Sequence, residues 1–241
     1  MTHHVSNPPD VSLSARALEV IAISLDDGLA AEEGGAARLE VVRDIHEDGL
    51  TPPRALVEQL LARVRIPLRV MVRPRNTFVA GDSRHRDEIA RDADLFADLP
   101  VDIVTGYVIE SASGPAIDEA ALALVAERVP RAHITVHRAI ERVAVDPAAA
   151  LARCAQVDRV LSGGGAGEWE ARAGVLERLQ AAVVPVRVIV GGGVTVEGID
   201  VLATRKALRE LHVGRIARTD ATYERPVSAA VVADLVARWS R

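Results

Sequence analysis

The chain has 241 residues, 49% of them hydrophobic and 26% charged, with a formal net charge of −5. That length suits one large domain with a sizeable core, and the acidic balance, with only two each of Trp, Tyr and Phe, speaks against a nucleic-acid-binding surface. No apolar run approaches the ~20 residues of a membrane helix, and a single cysteine, Cys154, leaves no intrachain disulfide and fits a reducing cytoplasm.

Residues 1–16, "MTHHVSNPPDVSLSAR", lack the basic and apolar regions of a secretory signal. They read as a flexible N-terminal tail in which the His3–His4 pair has no role, leaving 17–241 as one domain. The first strand is "LEVIAI" (18–23), with Glu19 early in it and Ser24 at its end. Asp26-Asp27 can cap a helix that ends at Gly34-Gly35. The second strand, "ARLEVV" (37–42), carries Glu40, and Thr51 with Pro52-Pro53 opens the next helix. "LRVMV" (68–72) runs into Arg73-Pro74-Arg75, two fixed positive charges that must face water, carboxylates or an anionic ligand. The long connection that follows, up to a helix capped at Asp82-Ser83, reads as a mobile flap. "DIVTGY" (102–107) supplies Thr105, and Asp118 caps the helix after it. "HITVHR" (133–138) supplies Thr135, His137 and Arg138, and Asp146-Pro147 opens a helix. "DRVLS" (158–162) ends on Ser162 before "GGG" (163–165), and a helix follows Gly167 and Glu168. "RVIVG" (187–191) leads through Gly191–Gly193 to a helix capped by Thr195. "ELHVG" (210–214) carries His212 and Gly214, Arg215 follows, and the last helix starts at Ser228.

Eight such strand–helix units predict an α/β protein, a single (β/α)8 TIM-type barrel. The alternative, an open doubly wound sheet, would need a glycine-rich loop after the first strand, where "SLDDGLA" stands.

In a barrel the carboxyl ends of the strands form the active face, and the polar residues gather there. The opposite ends read as ordinary loops. Glu19 and Glu40 interrupt apolar runs and need partners, because bare burial of charge is costly. Arg73, Arg75 and Arg138 are the natural ones, and the group reads either as a structural ion network or as a functional site. With Arg215 the guanidiniums outnumber the carboxylates. The mouth is therefore expected to be net positive and its ligand a small anion, phosphate or carboxylate. The glycines at 191–193 and 214 suit a phosphate cradle, though such turns also serve only to bring strand and helix close. The expected ligand-binding set is Arg73, Arg75, Thr105, Arg138, Ser162, Gly191, Gly192, Gly193, Gly214 and Arg215. Glu19, Glu40, His137 and His212 are acid–base candidates; a hard or borderline N/O metal site, or hydrogen-bonded structural imidazoles, are the other readings. His46 and Glu47-Asp48 either reach the mouth or lie on a solvated loop. Lys206 is at the wrong end for a Schiff base, and Cys154 reads as a small core residue in mid-helix.

Several stretches, taken in order, resemble the CutC copper-homeostasis family: "LEV" (18–20), "GGAARLEV" (34–41), "DGLTPP" (48–53), "VRPR" (72–75), "VTG" (104–106), "VHRAI" (136–140), "RVLSGG" (159–164), "GGGV" (191–194) and "ELH" (210–212). The resemblance implies a cytoplasmic TIM barrel, commonly a homo-oligomer, with a copper-handling role and no nucleic-acid or membrane partner. The chain departs from the family where cysteines are usual, at Ile21, Ala22 and Val42, and shortens the segment after Arg75 to "NTF" (76–78). Cu(I) prefers thiolate and thioether donors. With Cys154 in a helix and Met71 as the one internal methionine, a tight Cu(I) site is not expected.

Overall fold

The structure, a computed structural model, describes residues 16–144 and 146–241. The expected tail lies outside the described residues except for Arg16, whose guanidinium donates to the carbonyls of Trp239 (3.0 Å) and Ala203 (2.5 Å) and stacks on the Trp239 ring.

The barrel strands are β1 (Ala17–Ala22), β2 (Arg38–Val41), β3 (Leu68–Met71), β4 (Asp102–Thr105), β7 (Ile134–Val136), β8 (Val157–Ser162), β9 (Arg187–Val190) and β10 (Glu210–Val213). They pair in parallel and close in the order β1-β10-β9-β8-β7-β4-β3-β2. The helices are α1 (Leu25–Glu33), α2 (Arg54–Arg63), α3 (Ser83–Asp94), α4 (Glu119–Arg128), α5 (Ala148–Ala152), α6 (Trp169–Val183), α7 (Val196–Ala203) and α8 (Ala229–Trp239). The expected (β/α)8 barrel is therefore the fold. Asp82, Asp118, Thr195 and Ser228 cap their helices as expected. Ser24, rather than the Asp26-Asp27 pair, caps α1, because Asp27 turns inward to hold the buried Arg218 guanidinium at 2.7 Å. Cys154 lies just past α5 and packs on the core from the loop before β8.

A hairpin not expected from the sequence, β5 (Val108–Ser111) with β6 (Gly114–Ile117), follows β4. Its turn, Ala112-Ser113, carries no Asn-Gly or Asp-Gly signal. Gly106, at φ +149°, redirects the chain out of the barrel just before it.

Strand alternation divides the interior in two. Residues such as Leu18, Val20, Leu39, Val41, Val70 and Ile103 join the apolar cluster shared with the helices. The residues between them point into the barrel, and toward the amino ends of the strands many are charged. Arg38 donates to Glu19 and, at 2.5 Å, to Glu210. Arg159 meets the same Glu210 oxygen at 2.7 Å, and Arg187 reaches Glu210 at 3.2 Å. Arg69 forks onto Asp158 at 3.0 and 2.8 Å and donates to Thr135 Oγ1. The end of the barrel expected to carry only ordinary loop residues thus holds a buried belt of ion pairs. Burial alone would raise the Glu210 carboxyl; Arg38 and Arg159 outweigh it and bring it down to about 2.

Breaking a buried pair leaves its partner uncompensated, at a cost of about 3–5 kcal/mol. Arg38→Met removes the guanidinium that pairs with Glu19, leaving it His212, and one of the three that hold Glu210, and should lower the urea midpoint correspondingly. A group whose pKa is depressed on folding stabilises above its unfolded value and loses that contribution as pH falls toward the folded one. Wild-type stability should therefore decline from the ordinary glutamate value of 4.5 down to about 2. A flat urea midpoint across that window would show that the belt adds nothing.

Candidate functional site at the barrel mouth

Above the belt the barrel opens into a cavity of about 280 Å³ at the carboxyl ends of the strands. Glu19 joins the two levels. It accepts from Arg38 with one oxygen and meets His212 Nδ1 at 2.8 Å with the other. The contact follows from register: Glu19 is opposite His212 across the β1–β10 pair, and Ile21 is opposite Glu40 across β1–β2. His212 Nε2 lies 3.8 Å from Glu40 Oε2, while Glu40 Oε1 is buried with no hydrogen-bond partner. The partners expected for these carboxylates, Arg73, Arg75 and Arg138, are not the ones they have. Glu19 uses Arg38 and His212, and Glu40 has only His212.

Burial pushes the Glu40 carboxyl up to about 7, with the Glu19 charge adding to it and His212 pulling against it. Burial would lower His212; the Glu40 charge and the Glu19 hydrogen bond outweigh it and raise it. Burial would likewise raise Glu19, but Arg38 holds it below the usual carboxylate range. The result is a fixed anion, Glu19, orienting an imidazole that faces a carboxyl group titrating near neutrality. That is the arrangement of an acid–base pair with its orienting group.

His137 behaves differently. It caps the short turn after β7, its Nδ1 accepting from the Ala139 amide at 3.1 Å, which places the ring proton on Nε2. Burial, then the nearby Arg73 charge, pushes it down to about 3. It is neutral at physiological pH and offers the cavity an unpartnered Nε2–H donor, not a titrating group.

The expected ligand set divides. Arg138, Gly192, Gly193, Gly214 and Arg215 line the cavity. Arg73 does not. Its buried guanidinium donates to the carbonyls of Glu47 (2.8 Å), Gly49 (2.9 Å) and Thr77 (3.4 Å) and to Asn76 Oδ1 (2.6 Å). It also lies under the Phe78 ring, with Arg142 stacked on the same ring. The connection expected as a flap is thus tied down by the charge expected to bind ligand. Arg75 pairs with Glu88 at 2.5 Å outside the cavity. Thr105 donates to the Val72 carbonyl, and Ser162 Oγ meets Glu141 at 3.3 Å. Gly191 lies against His212, where a Cβ would come 3.0 Å from the ring's Cδ2 and 3.1 Å from the side chain's Cβ. Of the expected cations only Arg138 and Arg215 line the cavity; they face Glu40 and Asp48, and Arg138 also pairs with Glu141 at 2.9 Å, so the expected surplus of positive charge is not seen in the lining. Asp48, on a loop that the sequence left open between mouth and solvent, lines the cavity; Tyr223, which carries no sequence signal, also does.

Gly192 and Gly193 have left-handed φ of +95° and +70°, and among the described residues their amides donate to no acceptor. Successive free N–H groups in such a turn, ahead of the Thr195-capped α7, form a concavity for an anion. A Cβ at Gly192 would come 3.0 Å from Arg138 Nε, so the guanidinium packs on the same turn.

Glu19, Glu40 and His212 also present one donor atom each within 4.8 Å of one another, a hard or borderline N/O set. Both Glu19 oxygens are already engaged, which leaves that set with Glu40 and His212 Nε2. For Cu(I) the fit is poor. Ile21 and Val42, where the family resemblance implies cysteines, line the cavity as aliphatic side chains, and Met71 is the one sulfur there. Cys154 lies outside the cavity, in the loop before β8.

A model of the CutC family matches residues 16–217. A CutC family protein of Xanthomonas campestris pv. campestris (strain 8004) is 31% identical over 205 residues, covering 81% of each chain. One from Chromobacterium violaceum is 32% identical over 199 residues, 81% of this chain and 79% of the relative. Among solved structures, the copper homeostasis protein CutC of Streptococcus agalactiae superposes with a TM-score of 0.70 at 21% identity, over 83% of this chain and 98% of that one. Thiamine phosphate pyrophosphorylase of Pyrococcus furiosus does so at 0.55 and 14% identity, over 94% and 98%. At those identities the two structures bear on the fold alone.

The Glu40 carboxyl supplies a test. A pKa raised on folding stabilises below the unfolded value and is lost as pH rises through the folded one, so wild type should lose stability from 4.5 up to about 7. Glu40→Gln removes that titration. It should flatten the thermal midpoint over this range and stand above wild type at pH 8.5, by roughly 1–3 kcal/mol. Parallel pH profiles for the two proteins would mean that Glu40 ionises normally.

Proposed function

The chain belongs to the CutC family, and we propose that it serves copper homeostasis as a barrel acting on a small anionic metabolite, not as a tight Cu(I) carrier. The observation that carries this reading is the pairing of Glu40, its carboxyl raised to about 7, with His212 in the same cavity as the unclaimed Gly192–Gly193 amides. A phosphate or carboxylate end would rest on those amides, with Arg138 and Arg215 giving the counter-charge and His137 Nε2 one neutral donor. Glu40 and His212 would exchange a proton with the body of the ligand, while Glu19 keeps the imidazole aimed. The copper role comes from the likeness to the Streptococcus agalactiae CutC, described as a copper homeostasis protein. The donors of this cavity do not suit Cu(I), so no step is assigned to it.

Inorganic phosphate should raise the thermal midpoint of wild type in a saturable way. Removing a charged hydrogen-bond donor costs about 1.5–3 kcal/mol, so Arg138→Ala should weaken phosphate binding on the order of 10- to 100-fold. Arg73→Ala should lower the basal midpoint yet keep the phosphate-dependent increment, because Arg73 binds backbone carbonyls of its own chain. Equal phosphate increments in wild type and Arg138→Ala would remove the anion site from this cavity.

A further inference from the structure

Half of the mouth is apolar, which neither proton exchange nor phosphate binding requires. Val42 and Met71, with Val104 beneath, form a small buried cluster separate from the core between sheet and helices, and Ile21 packs on it. Ile21, Val42 and Met71 come from or directly follow β1, β2 and β3, three consecutive staves, and all three line the cavity. Arg138 follows β7 and Gly192–Gly193 follow β9, across the ring of strands from that group. The cavity therefore has an anion-accepting side and an aliphatic side facing each other, with Glu40 on β2, the middle of the three aliphatic staves, and His212 on the neighbouring β10. At about 280 Å³ it lies at the small end of metabolite sites. An inorganic anion at the amides would leave the aliphatic staves in contact with water, as in the free protein, and so forgoes the stabilisation that an apolar body covering them would add.

We propose that the ligand is a small organic anion with a compact apolar body: a phosphate monoester or a carboxylate whose charged end meets Gly192–Gly193 and Arg138, and whose branched or aromatic carbon part covers Ile21, Val42 and Met71. This rests on the anion reading given above and narrows it to a substrate class. It also accounts for the aliphatic residues where the resemblance implies thiols, since a cysteine pair there would be a metal-binding floor and Ile21 with Val42 is a hydrocarbon one.

Calorimetry and thermal shift on the full chain would compare phenyl phosphate with inorganic phosphate, and benzoate with acetate. Each aromatic probe should bind about tenfold or more tightly than its bare counterpart. A gain in only one pair identifies which charged group the site takes. Val42→Thr should cut the ratio of affinities about threefold or more, and Ile21→Ala gives the same readout should the first variant fold poorly. Equal binding of phenyl phosphate and phosphate overturns the apolar-body proposal while leaving the anion site standing. A gain that survives in both folded variants also overturns it, because the aromatic probe is then bound elsewhere. Absence of any anion binding removes both readings together.

Discussion

Glu19 holds the structure and the site together through its two oxygens. One faces Arg38, which ties it to Glu210 and from there to Arg159 and Arg187; the other faces His212. A carboxylate this deep is tolerable only if ionised against a fixed cation, since the isolated charge would be expelled or neutralised. Arg38 meets that condition from below. The charge it stabilises is then available to the imidazole above.

The raised carboxyl of Glu40 follows from the same geometry. The belt distributes its arginines among Glu19, Glu210, Asp158 and Asp102, and Glu40, one register step higher, receives none. Glu40 is buried, feels the Glu19 charge and has no guanidinium of its own, so its proton is retained to about neutrality. One pairing rule thus produces two carboxylates with opposite protonation tendencies a few ångströms apart, and that contrast is what separates a fixed orienting group from an exchanging one.

The barrel was legible because the strands are short β-branched runs with capped helices between them, and a closed parallel sheet is the topology that brings eight such ends to one rim. The Glu19–Glu40–His212 group was legible too, as polar residues inside apolar runs on strands that become neighbours. What escaped has a common cause. Arg73 looks like a ligand group in sequence because its true acceptors are backbone carbonyls of Glu47, Gly49 and Thr77, and carbonyls carry no residue-type signal. Arg38, Arg69 and Arg159 sit in the same alternating pattern as Glu40, but near the amino ends of their strands, where charge reads as solvated loop. The β5–β6 hairpin has a turn without the usual glycine or asparagine pair, and Tyr223 reaches the cavity from a loop whose path only the tertiary structure defines.

Membership of the CutC family and the chemistry of this particular mouth answer different questions. Identity of 31% to a relative places the chain in the family; it does not make every member present the same donors. Soft metal binding depends on sulfur, and a change from thiol to isopropyl or sec-butyl at two rim positions removes it while leaving backbone and register intact. The same change converts the space above Met71 from a metal-ligating floor to a hydrocarbon one. The amides opposite are set by the left-handed turn at Gly192–Gly193 and are indifferent to that exchange. Opposite those amides the cavity presents Ile21, Val42 and Met71, so one side of the rim carries hydrogen-bond donors and the other hydrocarbon and thioether surface.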